Sequence, residues 1–196
     1  MNSLLKTSNL EKYIIEPIKK NLDKRLKRYQ YYDIGNVDKL ITNNKVDIIA
    51  HQLELQFEAD NSIFISWATI ERWSQYSLSV SEISFIENLE GNAQNDKNWE
   101  DILGRNLKSF EVYGYKKSII ASSETNTGKI IYKTFYEEPH LLIFYFDNNK
   151  SVGVANFYEE NDFNPISTAG DDIWIIFDKD DINGYIEKFN FQCIYM

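Results

Sequence analysis

The stretch HLLIFYFDNNKSVGVAN, residues 140–156, decides how this chain is read. Positions 141–146 are apolar or aromatic without interruption, 147–150 are polar, and Val152 and Val154 alternate with Gly153 and Ala155. Two strands joined at a turn account for that pattern, and the uninterrupted first strand belongs at the centre of a sheet, covered on both faces. A second stretch, HQLELQFEADNSIFISW at residues 51–67, has the same layout. Aligned without a gap at an offset of 89, His51 falls on His140, Leu53 on Leu142, Phe57 on Phe146, Ser62 on Ser151, and Ile63 and Ile65 on Val152 and Val154. Here Leu53, Leu55 and Phe57 alternate with Glu54 and Gln56, so one face is buried and the other wet.

Outward from the hairpins, a second pair of blocks aligns at an offset of 81: Leu22, Leu26, Lys27, Tyr29 and Tyr32 fall on Leu103, Leu107, Lys108, Phe110 and Tyr113. Leu10, Ile14, Ile18 and Leu22 recur every four residues, the spacing of one helix face. Pro17 is tolerated in a first turn, so the helix is expected to begin near Glu16. Gly104 and Arg105 mark a stop in the second copy, which ends the first helix near Asp23 and starts a strand at Leu26. Each half then reads helix, strand, variable connection, hairpin, strand. The expected organisation is residues 1–90 and a related, more acidic 91–196, forming one compact unit.

The intervening stretches complete the outline. Residues 33–47 read as a connection holding Gly35, Asn36, Asn43 and Asn44, with a short strand or helical turn around 37–41, and residues 76–80 as a strand. The polar segment 87–98 is the joint between halves. A long connection spans 116–138, with Ser122–Gly128 as a tip or hairpin loop and 130–132 returning. After a loop with Pro165 and Gly170 comes a strand at 173–177, then Ile182, Tyr185, Ile186 and Phe189 at helical spacing behind a cap at Asp180 or Asp181. The predicted class is α+β: about eight to ten mostly antiparallel strands in two related halves with short flanking helices. One sheet, a sandwich and a partly closed barrel all satisfy the pattern.

Bulk properties set the limits. A chain of 196 residues buries roughly 70% of its unfolded surface, enough for a substantial core. Thirteen Tyr, 12 Phe and 4 Trp against 2 Met favour pleated, half-buried surfaces. The single Cys193 has no internal disulfide partner, which points to a reducing compartment. Leu4 and Leu5 lie in no continuous apolar run, so no secretory signal is expected, and 141–146 is far too short to span a membrane. The expected location is the cytoplasm, with no membrane partner. Net charge is −9, divided as −2 over residues 1–98 and −7 over 99–196. Residues 157–187 alone hold nine acids against Lys179. Such a surface repels phosphate backbones and attracts cations, so no nucleic-acid partner is expected through this half.

Chemistry-bearing patterns are sparse. His51 and His140 are the only histidines; with one remote cysteine they fall short of a zinc ligand set and read as residues at the starts of strands. Residues 178–187, DKDDINGYIE, resemble a calcium loop until Gly184 is set at position six, which puts Lys179 where an acid is required. Acids at a helix N-terminus explain the run instead. Glu159, Glu160 and Asp162 are the candidates for paired carboxylates of a small hydrolase, the rival reading. No nucleophile elbow, phosphate loop, dinucleotide fingerprint or His-Glu-x-x-His is present; NTGK at 126–129 matches a phosphate loop by two letters. Neither a metal nor a cofactor is implied, and no catalytic residue is assigned. The basic run 19–28, with Tyr29, Tyr31 and Tyr32 behind it, reads as solvated faces in an acidic chain. Trp67, Trp73, Trp99 and Trp174 are core or hairpin-edge aromatics, with Trp73 and Tyr76 as interface anchors if exposed.

ISWATIERWSQYSLSVSEISF (65–85), WEDILGRNLKSFEVYGY (99–115) and the span from LLIFYFDNNKSVGVANF (141–157) to GDDIWIIFD (170–178) together resemble small bacterial proteins encoded near polymorphic toxin genes, a group proposed to be immunity proteins. The resemblance implies a non-catalytic protein that binds a cognate protein toxin, and it carries over no functional residue. Charge points the same way, since toxins that act on nucleic acid are basic. The expected binding face is Glu159, Glu160, Asp162, Asp171 and Asp172. A third reading is a homo-oligomer in which the basic segment of one copy meets the acidic segment of another.

Overall fold

The computed structural model describes residues 8–32, 41–68, 70, 73, 76–86, 96–125, 128–159 and 163–196. The helix begins at residue 9, earlier than Pro17 led the sequence to predict. It is π-wound over Glu11–Ile15 before α1, Glu16–Lys19. The Glu16 N–H bonds the Glu11 carbonyl five residues back, and that wide turn makes room for the proline ring that a regular α-turn would exclude. Leu10, Ile14 and Ile18 are buried along one face, as their spacing predicts.

The strands follow as β1 (Leu26–Tyr32), β2 (Ile41–Thr42), β3 (Val46–Ile49), β4 (Gln52–Phe57), β5 (Ser62–Ala68) and β6 (Ser77–Ser81). After α2 (Asp96–Trp99) come β7 (Leu107–Thr125), β8 (Gly128–Phe146), β9 (Ser151–Glu159), β10 (Pro165–Ile176), α3 (Lys179–Lys188) and β11 (Gln192–Tyr195). Among the described residues, one sheet has the order β1-β4-β5-β6 and the other β11-β7-β8-β9-β10-β3-β2, with every pairing antiparallel. The fold is thus a mostly antiparallel α+β structure with short helices. Equivalent registers recur in the two sheets. Leu26 pairs with Phe57 and Leu107 with Phe146; Tyr29 with Leu55 and Phe110 with Phe144; Leu53 with Ile65 and Leu142 with Val154.

Alternation places the two cores. Leu53, Leu55, Ile63, Ile65 and Val80 of the first sheet and Val112, Leu142, Phe144, Val154 and Ile175 of the second share one buried cluster, which settles the arrangement as two sheets face to face. Leu141, Ile143, Ala155, Phe157, Trp174 and Ile176 point the other way, into a second cluster closed by Ile182 of α3 and Phe191. Residues 141–146 therefore alternate between two cores, the physical reason their sequence carries no polar break. Each such aliphatic or aromatic side chain contributes about 1.5–3 kcal/mol by leaving water. The first sheet lacks that second cover among the described residues, and Glu54 and Gln56 on its outer face are half-buried.

Four expectations are corrected. The predicted connection 33–47 ends in the start of β3, which joins the second sheet on β10 while β4, three residues later, belongs to the first. The predicted connection 116–138 is a continuation of β7 and β8, which run side by side for 19 residues each; of the predicted tip Ser122–Gly128, residues 126 and 127 lie outside the described ones. β11 adds an edge strand that the sequence pattern did not show. The cap of α3 is Asp178 rather than Asp180 or Asp181: its Oδ1 accepts from their backbone N–H groups at 2.9 and 3.1 Å. Residues 33–40 and the joint at 87–95 lie outside the described residues.

Candidate functional site

The acidic run of the sequence is divided by the fold. At one end of β10, Asp178 caps α3 and, with Asp181, pairs with Lys45 at 3.1 and 3.6 Å. The Asp181 and Asp180 backbone N–H groups and the Lys45 ammonium hold the Asp178 carboxyl below its usual range, so these acids serve the helix. About 20 Å back along the strand, at six residues of about 3.3 Å each, Asp171 and Asp172 lie within β10 at a break in its register. There Asp172 pairs with Phe157, Ser167 with Tyr158, and Pro165 with Glu159. Glu159, Asp171 and Asp172 therefore share one end of one strand pair; Glu160 and Asp162 lie outside the described residues.

A bulge shapes this end. Between Ser167 and Asp172 the register of β10 slips, and Gly170 lies so close to β9 that a Cβ there would overlap the Phe157 carbonyl. Only a glycine permits that approach. Glu159 is half-buried and its Oε2 accepts from the Phe163 backbone N–H at 3.1 Å. Its charge also reaches α3: burial first, then the carboxylates of Asp181 and Glu159, push the Tyr185 phenol up to about 12. Lys188 Nζ donates to Asn164 Oδ1 at 2.6 Å beside the same loop.

Two large side chains that sequence reasoning missed are exposed at this end of the strand pair. Tyr158 is 48% exposed and Ile166 49%. Tyr158 has the parity of Val152 and Val154, which face the core, so alternation alone assigns it to the interior. Its exposure shows that the cover ends before β9 does. The predicted aromatic anchors fare differently. Trp73 is only 7% exposed and lies edge-on to Tyr13 at 6.3 Å, so it is core and no anchor. Tyr76, half-buried at φ 63°, meets Trp67 edge-on at 4.9 Å.

Two buried polar centres were also not foreseen. Asp47 accepts from Tyr31 Oη at 2.6 Å, Thr42 Oγ1 at 2.5 Å and Asn98 Nδ2 at 2.9 Å, and Trp99 Nε1 donates to Tyr31 Oη at 2.6 Å. This network joins β1, β3 and α2. Burial and the Asp47 carboxylate raise the Tyr31 phenol well above its ordinary value, so it stays a donor. The second centre lies where β7 and β8 leave the sandwich. Lys117 forms an ion pair with the buried Glu138, Ser77 Oγ donates to Glu138 Oε1 at 3.4 Å, and His140 Nε2 lies 3.7 Å from Glu138 Oε2. Serine, histidine and carboxylate invite a catalytic reading. All three side chains are buried, and the His–Glu separation exceeds a hydrogen bond; with Lys117 the centre ties β6, β7 and β8 together. His51, at the equivalent position in the first half, stacks on Trp67 at 5.4 Å.

A shallow groove of about 360 Å³ between α1 and β6 is lined by Tyr13, Pro17, Val80 and Ile83, with Lys20 bonded to Glu82 at 2.5 Å across its rim. The basic run is otherwise a solvated face: Lys19 pairs with Glu11 and Arg25 with Glu58. Among the described residues no group of three His, Cys, Asp or Glu side chains could hold a metal ion, and no helix is long and apolar enough to cross a membrane. No protein-family model matches the chain, and no curated protein or solved structure matches it.

Proposed function

We propose that this chain is a non-catalytic binding protein of the immunity type, which acts in the cytoplasm by occupying a basic surface of a cognate bacterial toxin. The observation that carries the reading is the end of the β9–β10 pair, where the exposed Tyr158 and Ile166 lie on the same two strand segments as Glu159, Asp171 and Asp172. A protein interface needs an apolar centre that loses its water and a charged rim that selects the partner. This end supplies both, on backbone held in place by the approach of Gly170 to Phe157. Glu160 and Asp162, in the same stretch of sequence, add to the negative charge. Carboxylates repel phosphate, so the partner is the basic protein itself and not its nucleic-acid substrate.

The test begins with the gene immediately upstream, which is expected to encode a multidomain toxin. Co-expression with that toxin domain should protect cells, and purified components should bind. Replacing Tyr158 with Ala should raise Kd about 30-fold or more through faster dissociation. Reversing Glu159, Asp171 and Asp172 to Lys should slow association and remove most of its salt dependence. Binding unchanged by both sets of substitutions would remove this surface from the reading; absence of any toxin bound by the chain would remove the reading itself.

A further inference from the structure

Beyond the sandwich, β7 and β8 continue as a two-stranded arm. Among the described residues, β11 pairs with the outer edge of β7 at Val112–Gly114 and β9 pairs with β8 at residues 141–145. From Tyr115 opposite Glu138 to Thr125 opposite Gly128 the two strands make eleven further pairs, an arm of about 30 Å at about 3.3 Å per residue. Over residues 116–125 the outer edge of β7 meets no strand among the described residues. Its N–H and C=O groups form a template for one more strand. The arm's composition is unlike the rest of the molecule: residues 116–137 carry four lysines and two glutamates in a chain of net charge −9. Ile120 is 69% exposed and Phe135 70%. A two-stranded ribbon of this kind is marginally stable alone, and a further pair of strands supplies what it lacks.

The sequence of this edge is complementary to itself. Set antiparallel to its own copy about Ile120, β7 brings Lys116 opposite Glu124, Ser118 opposite Ser122, Ile119 opposite Ala121, and Ile120 opposite Ile120. Opposite charge, hydroxyl and apolar residues meet their kind of partner at every pair but Lys117 with Ser123, and the two-fold repeats each pair except the central one. A slip of one residue sets Lys117 against Glu124, yet the Lys117 ammonium is held by the buried Glu138, whereas Lys116 is exposed. The slip also opposes Ile119 to Ser122. We infer that a second copy of this chain pairs with β7 in the register centred on Ile120, so that two arms form one four-stranded ribbon joining two sandwiches.

Two measurements test it on the full chain. With Cys193 replaced by Ser, Ile120→Cys should form a disulfide-linked dimer under mild oxidation, because paired Cα atoms on the axis are about 4.5–5.5 Å apart. Ser118→Cys should not, since its own copy stands four residues along the partner strand, about 13 Å away. In sedimentation equilibrium the unaltered chain should be dimeric. Lys116→Glu and Glu124→Lys should each weaken dimerisation about tenfold by opposing like charges, and the double exchange should restore it. A chain that stays monomeric at millimolar concentration, an Ile120→Cys variant that does not cross-link, or single exchanges without rescue by the double would each overturn the proposal.

Discussion

Arg25 and Asn106, 81 positions apart in the chain, face one another across an isolated antiparallel bridge. The bonds around that bridge come in pairs at the same offset. Asp23 donates its backbone N–H to the Leu107 carbonyl at 2.7 Å and Gly104 to that of Leu26 at 2.8 Å; Leu26 donates to Arg105 at 2.9 Å and Leu107 to Lys24 at 3.0 Å. The turn residues match too, with φ of 61° at Asp23 and 80° at Gly104. The two blocks that align in the sequence thus bond reciprocally to each other, at the seam between the sheets.

Gly104→Ala tests that seam. A Cβ there would meet nothing within 4 Å, so the whole cost is the left-handed backbone that a β-carbon disfavours. Denaturant unfolding should show a loss of about 1–2 kcal/mol, with Gly104→Asn losing less because Asn tolerates this region. Equal stability of the Ala variant would mean that the turn relaxes without the seam.

Tyr31→Phe removes one hydroxyl from two bonds. Asp47 loses a donor and Trp99 Nε1 loses its acceptor, both in the buried network that ties β1 to β3. A buried carboxylate left short of a partner costs about 2–4 kcal/mol. Thermal and denaturant melts of the variant should show a loss in that range, whereas a change below about 1 kcal/mol would mean the network stabilises nothing.

Alkaline pH should destabilise the fold through its tyrosines. Burial first, then the carboxylates beside them, push Tyr32, Tyr113 and Tyr185 up to about 12, and raise Tyr31 and Tyr145 as well. The unfolded chain ionises near the ordinary 10, so this stability is whole below that pH and is lost as pH rises toward the folded values. Denaturant midpoints should fall between about pH 10 and about pH 12, with part of the phenolate absorbance appearing only on unfolding. All tyrosines ionising together near 10 in the folded protein would contradict this.

Asp178→Ala should cost about 1 kcal/mol by removing the cap of α3. The Asp178 carboxyl is lowered in the fold by backbone N–H groups and Lys45, so its contribution is present above the ordinary 3.8 and is lost as pH falls through the lower folded value. The difference between variant and parent should therefore shrink in acid. A difference that stays constant down to about pH 2 would assign the cost to packing instead.

Much of the fold was legible because its signals are local. The unbroken 141–146 announced a strand covered twice, and the alternation of Leu53, Leu55 and Phe57 with Glu54 and Gln56 announced one covered once; both hold. Pro17 misled because a single π-turn offsets its restriction, and nothing in EKYIIEP marks one. Of the candidate site, the acids stood out by density, but density could not separate Asp178 and Asp181, which serve Lys45 and the cap of α3, from Asp171 and Asp172 at the bulge of β10.

What the sequence determined by itself was the class of the fold and the elements with a strong local period, such as the two hairpins and α3, since periods of two and of 3.6 are written within a few residues. Tertiary structure alone decided which sheet takes β3 and β11, that Asp47 would be buried beneath Tyr31, Thr42 and Asn98, and that Tyr158 would lie outside the cover its alternation implied. Those outcomes depend on partners brought from distant parts of the chain, and the free energy of such a meeting belongs to the pair, so neither segment records it alone.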